Sequence, residues 1–176
     1  MSDPAHDAAP VVDGGPPGPD ALIDAFEAAW SGRDGAGFSV ACAPDLHYED
    51  PLTPQPLESS RALARHAQRL WAGFPDARME ATGPRMADAE GRWITAPVKL
   101  VATHRGELEG LPPTGRFVIV HAVFVCRVDD TGTRLGQVRG FFDVYDAAVQ
   151  LGVLPKPGTM GERALLMLRG FGLRRD

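Results

Sequence analysis

Phe117-Val118-Ile119-Val120-His121-Ala122-Val123-Phe124-Val125-Cys126-Arg127-Val128 is the stretch that decides the fold class. Its even positions, Val118, Val120, Ala122, Phe124, Cys126 and Val128, are wholly apolar, while the odd ones include His121 and Arg127. A sustained period of two is the mark of a β-strand with one face on a core. The even face suits a pocket wall and leaves His121 on the outer side, unless a bulge reverses the alternation.

Reading outward, segments near 76–86, 92–105 and 134–143 are equally rich in Val, Ile, Phe and Thr. Turn signals separate them at Asp88 to Gly91, at Gly110-Leu111-Pro112-Pro113-Thr114-Gly115 and at Asp129 to Gly132. Connections this short predict antiparallel neighbours, because parallel strands need a crossover of about a dozen residues or more. Upstream the period becomes helical. Leu22, Ile23, Phe26, Ala29 and Trp30 form one stripe over residues 20–31, with Asp20 as the expected N-cap. A shorter helix is expected over 35–43, before Pro44, and a strand over Leu46–Asp50, ended by Pro51. A third helix runs over 59–73, through Leu63, Ala67, Leu70 and Trp71. Short helices at 144–151 and about 160–169 close the chain. Helices first and a sheet afterwards is the α+β order, and the five strands are expected in one bent antiparallel sheet.

The chain has 176 residues, 44% hydrophobic and 23% charged, with 18 basic and 23 acidic residues for a net charge of −5. That is a globular mix with no basic footprint for nucleic acid. No apolar run reaches the length of about 18 residues that a membrane span needs. Residues 1–19 are rich in Pro, Gly and Asp and form an expected disordered leader. The two cysteines, Cys42 and Cys126, lie in apolar stretches, which points to reduced thiols and a cytoplasmic compartment. No secretory signal is visible.

The run Trp93-Ile94-Thr95 … Thr103-His104-Arg105-Gly106-Glu107-Leu108-Glu109-Gly110-Leu111-Pro112-Pro113-Thr114-Gly115-Arg116 resembles the SnoaL-like polyketide cyclases, members of the nuclear transport factor 2-like superfamily. Cys126-Arg127-Val128-Asp129-Asp130, and Phe141-Phe142-Asp143 with Gln150-Leu151-Gly152-Val153-Leu154-Pro155, fit the same family. The resemblance implies a cone over residues 20–156. Its strongly curved antiparallel sheet would wrap around three N-terminal helices and an apolar cavity, with residues 157–176 as a helical extension. It also implies a homodimer.

Asp45-Leu46-His47-Tyr48-Glu49-Asp50-Pro51 resembles the segment that carries the catalytic base of ketosteroid isomerases, which falls on Asp50. The isomerases' two oxyanion donors fall on Phe26 and Phe124, which cannot donate a hydrogen bond. The cyclases' acid falls on Gly140, and their histidine on Phe124 again.

Strand periodicity puts Tyr48 and Asp50 on one face. In an apolar pocket, desolvation is expected to raise the Asp50 carboxyl's pKa and make it a stronger base; the alternative is an Asp that bonds turn amides before Pro51. Asp50, Tyr48, His121 and Asp143 are the catalytic candidates, with Asp143 also readable as a helix N-cap. Phe26, Trp30, Trp71, Thr95, His104, Phe124 and Phe142 are the candidate substrate contacts. No metal set, nucleotide loop or serine nucleophile is spaced along the chain. The expected function is a cofactor-free polyketide-type cyclase or isomerase, using acid/base catalysis on a hydrophobic small molecule. An epoxide-opening enzyme of the same fold and a non-catalytic binder are the alternatives.

Overall fold

The computed structural model describes residues 18–168. Residues 1–17 of the expected leader (1–19) and Arg169, Arg174 and Arg175 lie outside them, whereas Gly18 and Pro19 belong to the start of the first helix. Helices α1 (Pro19–Gly32), α2 (Phe38–Ala41) and α3 (Ser60–Gly73) alternate with and precede strands β1 (Cys42–Glu49), β2 (Arg78–Ala81), β3 (Met86–Ala87), β4 (Trp93–Thr103), β5 (Phe117–Val128) and β6 (Leu135–Phe142). Helices α4 (Val144–Leu151) and α5 (Met160–Leu168) follow. The strands form one curved, open sheet in the order β1-β6-β5-β4-β2, with β3 also on β4. The α+β cone read from the sequence is the observed architecture.

Four boundaries differ, each for a local reason. Gly18 is the N-cap of α1 and Pro19 opens the helix, so Asp20 lies in the first turn instead of capping it. Proline suits that position because it has no N–H to leave unpaired. Helix α2 is one turn, not 35–43, because Pro44 disfavours helical backbone in the residue before it and the chain is extended from Cys42. Strand β1 is the sheet's edge, and its register shifts between Cys42 and His47, where Pro44 is tolerated. The expected strand over 76–86 is split in two. Thr82 N donates to Pro97 O at 3.1 Å, so the backbone of Pro97 faces β2 and β3 with no N–H to offer. The ladder breaks there, opposite Gly83-Pro84.

One expectation was wrong: β1 pairs with β6 in parallel. The short-turn argument governs only strands joined by short turns, whereas α3 and β2 to β5 intervene between β1 and β6. The β4–β5 and β5–β6 pairs, which short turns do join, are antiparallel.

The even residues of β5 are buried, as are Ile94, Ala96 and Val98 of β4. Against them pack Leu22, Ile23, Phe26, Ala29 and Trp30 of α1 and Leu63, Ala67 and Trp71 of α3. Phe38, fully buried on α2, is the hub of an aromatic cluster. Its ring is 5.9 Å from Phe26, 5.4 Å from Trp30 and 6.2 Å from Trp71, all centroid to centroid. The loop after β4 is pinned to the end of α3, where Arg105 N and Gly106 N both donate to Gly73 O. A Cβ at Gly106 would come within 1.9 Å of Ala72 O, so this approach admits only glycine.

Candidate active site

The packing leaves a cavity of about 340 Å³ between the sheet, the last turns of α1 and α3, and α4. This is within the usual range for small-molecule sites, roughly 300–1,000 Å³. Leu70, Phe74, Leu100, Val118, Val120 and Phe142 give its walls their apolar character. Helix α4 covers one side with Val144, Ala147, Ala148 and Leu151. It is held there by Gln150, whose side chain bonds both the N and the O of Ile119 at 2.8 Å. Among the described residues, Tyr48, Asp50 and Arg78 are the ionisable lining residues. Arg78 is half exposed and engaged with Glu80 at 2.8 Å.

Asp50 stands where β1 ends. The Oδ1 atom accepts from Leu52 N at 2.8 Å, and Thr53 Oγ1 and N both donate to Asp50 O. The turn role is therefore real, but it occupies one carboxylate oxygen only. The other, Oδ2, accepts from Tyr48 OH at 2.7 Å and lies 3.2 Å from His66 Nε2. The Asp50 and His66 side chains are 3% and 4% exposed. Arg69 Nη2 lies 3.3 Å from His66 Nδ1. A guanidinium only donates, so Nδ1 accepts and Nε2 carries the hydrogen given to Asp50. Leu63, His66, Ala67 and Leu70 share one stripe of α3, which is how the helix brings an imidazole to the end of β1.

The electrostatics reverse the expected ionisation. Burial pushes the Asp50 carboxyl up, but the hydrogen bonds from His66, Tyr48 and Leu52 outweigh it and hold the group below its ordinary range. The expected rise assumed desolvation alone and missed the three donors. Burial first, and then the neighbouring Asp50 charge, push the Tyr48 phenol well above its usual value. Tyr48 is thus a fixed donor to Asp50, and its proton is already committed.

The remaining candidates divide. Trp30, Trp71, Phe124 and Phe142 line the cavity with Asp50 and Tyr48. Phe26 does not; it packs behind Phe124 at 5.6 Å. Thr95 lies on β4 between the buried Ile94 and Ala96, on the face turned away from the core. His104 is fully buried but locked to the 104–116 loop, its Nδ1 accepting from Thr114 N at 3.1 Å. His121 is exposed on the outer face of β5, opposite Lys99. Asp143 caps α4, accepting from Asp146 N at 3.0 Å, and is exposed. His66 was missed, although its spacing from Leu63 and Leu70 placed it on the apolar stripe of α3.

A family model described as SnoaL-like polyketide cyclase matches residues 20–151. The chain belongs to this family. Similar solved structures include proteins for which polyketide cyclase activity or, in the SnoaL-like family, isomerase activity has been suggested. AclR from Streptomyces galilaeus, for which hydroxylase activity has been suggested, superposes with a TM-score of 0.67 at 25% identity, over 87% of this chain and 92% of AclR. IdmH from Streptomyces antibioticus, a suggested polyketide cyclase, gives 0.65 at 22% identity, over 76% and 98%. A Catenulispora acidiphila protein with a ketosteroid isomerase-like fold, solved with trimethylamine, gives 0.61 at 14%, over 74% and 92%. No curated protein matches the sequence.

In this SnoaL-like chain the position that the cyclase resemblance assigns to an acid is Gly140. A Cβ there would lie 3.0 Å from the Phe124 ring and 3.4 Å from Asp50 Cβ. Phe124 fills the space a side chain would need, and the neighbouring carboxylate is the one that β1 supplies.

Proposed function

We propose that the protein is a cyclase or isomerase that moves a proton on an apolar, oxygenated small molecule, with Asp50 as the acid/base. The observation that carries this reading is an ionised carboxylate, fixed by Tyr48 and His66, in the wall of an otherwise apolar cavity. Its Oδ1 holds one hydrogen bond and keeps acceptor capacity. Taking a C–H proton next to a carbonyl moves the electron pair onto the carbonyl oxygen. Returning the proton at another carbon isomerises the molecule, and attack of the enolate carbon on a second carbonyl closes a ring. A carboxylate held below its ordinary pKa is a weak base, so the substrate C–H must be acidic, flanked by two activating groups. Poly-β-carbonyl chains offer such positions.

The test is incubation of the protein with aromatic 1,3-dicarbonyl compounds, read by mass and by ring-isomer separation. An isomer of equal mass or a cyclised product supports the proposal. Binding without conversion favours a carrier, the reading suggested by an Asp50 whose two oxygens both already hold protein donors.

His66 is a positioning residue in this account. His66→Leu removes one of the donors that hold Asp50 down, while burial continues to push it up. The acid limb of the pH–rate profile is expected to move to higher pH, and a limb that stays in place would remove His66 from the account.

We also infer a homodimer through the outer sheet face. Phe117, Ile119, Val123 and Phe141 are 52%, 40%, 37% and 50% exposed, and Val123 pairs with Phe141 in register. An exposed apolar patch of this kind, divided along β5 by His121, marks an interaction surface, and a two-fold contact lets it cover itself. Val123→Glu is expected to shift sedimentation from dimer to monomer; a wild-type monomer at high concentration would refute the inference. A cytoplasmic location belongs to the same reading, resting on the free, buried Cys42 and Cys126. Among the described residues no helix is long and apolar enough to cross a membrane.

A further inference from the structure

Two donors beside the cavity have no acceptor. The Nε1 atoms of Trp30 and Trp71 are buried without a hydrogen-bond partner, and the two residues are 9% and 8% exposed. An indole N–H can only donate, and leaving it buried and unpaired is unfavourable. A phenyl ring at either position would give apolar contact without that penalty. Both tryptophans line the cavity, one on the last turn of α1 and the other on the last turn of α3, with ring centroids 5.9 Å apart. Of the other donors of the wall, the Tyr48 hydroxyl is given to Asp50, and Arg78, half exposed, bonds Glu80 through its Nε. Positions 26 and 124, where the isomerase resemblance would put oxyanion donors, are Phe26 and Phe124, which have none.

We propose that Trp30 and Trp71 form an oxygen-acceptor subsite, in which their indole N–H groups donate to a ketone, enolate or phenolate oxygen of the bound molecule. The proposal rests on the reading of the cavity as a substrate site. It adds that the substrate carries an oxygen on the edge facing α1 and α3, about five residues or 7–8 Å along α3 from His66. Both nitrogens are buried, so the subsite requires the indoles to turn toward the ligand as it enters. In the transition state of proton transfer to Asp50, the oxygen that gathers charge would meet donors held in an apolar surround, where they act most strongly.

The test uses the full chain labelled with ¹⁵N. Its three tryptophans, Trp30, Trp71 and the partly exposed Trp93, give three indole N–H resonances, assigned through single Trp→Phe variants. The protein is titrated with 2-naphthol and, separately, with naphthalene, which fills the same space without an oxygen. We expect 2-naphthol to move the Trp30 and Trp71 indole resonances downfield and to leave Trp93 unmoved, with naphthalene producing no downfield shift. Trp30→Phe and Trp71→Phe should each weaken 2-naphthol binding about 3- to 10-fold more than they change naphthalene binding. Equal indole shifts with both probes would overturn the proposal, because the N–H groups would then be satisfied against neighbouring aromatic rings. Failure of both probes to perturb the cavity residues would overturn it as well. Asp50→Asn separates the two readings. Indole shifts that survive in that variant uphold the subsite whatever happens to turnover, whereas a loss of turnover alone concerns only the acid/base role.

Discussion

Asp50→Asn is expected to lower turnover by at least about 10²-fold while ligand affinity stays within a few-fold. The amide has the shape of the carboxylate but cannot take a proton, and general acid/base catalysis is typically worth about 10²–10⁴. The same variant is expected to be less stable at neutral pH, contrary to what a carboxylate destabilised by burial would give. Tyr48 OH and His66 Nε2 both donate to Oδ2, and Leu52 N donates to Oδ1. An amide has only one acceptor oxygen, so whichever way the substituted side chain turns, its NH₂ group faces a donor. Such a mismatch costs roughly 1–3 kcal/mol. The sign of the pH dependence follows from the lowered carboxyl. A group whose folded pKa lies below its unfolded value of about 3.9 stabilises the fold fully above that value. The contribution fades as pH falls through the lower folded pKa. The gap between wild type and variant in urea unfolding is therefore expected to be full at pH 7 and to narrow toward pH 3. A gap that widens with acid would show that the carboxyl is raised in the folded state.

Phe38→Ala is expected to produce the largest loss of stability, about 3–5 kcal/mol. Phe38 is fully buried and touches three aromatic rings at once, lying nearly parallel to Trp71, with 8° between the ring planes. Removing it leaves a void behind Trp30 and Trp71, the two tryptophans of the cavity wall. Unfolding in urea should show a lower midpoint, and naphthalene affinity should change as the wall relaxes. A loss below about 1 kcal/mol would mean that α2 does not brace that wall.

Much of the fold was legible because its signals are local. The stripe of α1 from Leu22 to Trp30 and the apolar even face of β5 each identify an element and its buried side without reference to the rest. The parallel pairing of β1 with β6 was not legible, since two strands far apart in sequence meet only through the closure of the whole sheet. The break between β2 and β3 depends on which way the backbone of Pro97 faces, and that is set by its register with β5. At the site, Asp50 and Tyr48 could be read from alternation along one short strand. His66 stood in view on the stripe of α3, but only folding brings it to the end of β1. The ionisation of Asp50 was misjudged for the same reason. Desolvation can be inferred from an apolar sequence, whereas the Tyr48 and His66 donors that oppose it belong to the tertiary structure. Gly140 gained meaning only beside Phe124 and Asp50, where a missing Cβ makes room for the ring.

Proton exchange with solvent tests the central claim without knowledge of the natural substrate. The C1–H of 2-tetralone lies between a carbonyl and an aromatic ring, and the molecule is apolar and small enough for the cavity. In D₂O near neutral pH, the wild-type protein is expected to speed deuterium uptake at C1 above the buffer rate. Asp50→Asn should lose at least about 10²-fold of that acceleration, or all of it where it is smaller, while binding the ketone comparably. Uptake by Asp50→Asn at the wild-type rate, or no acceleration by wild-type protein that has bound the ketone, would contradict the account.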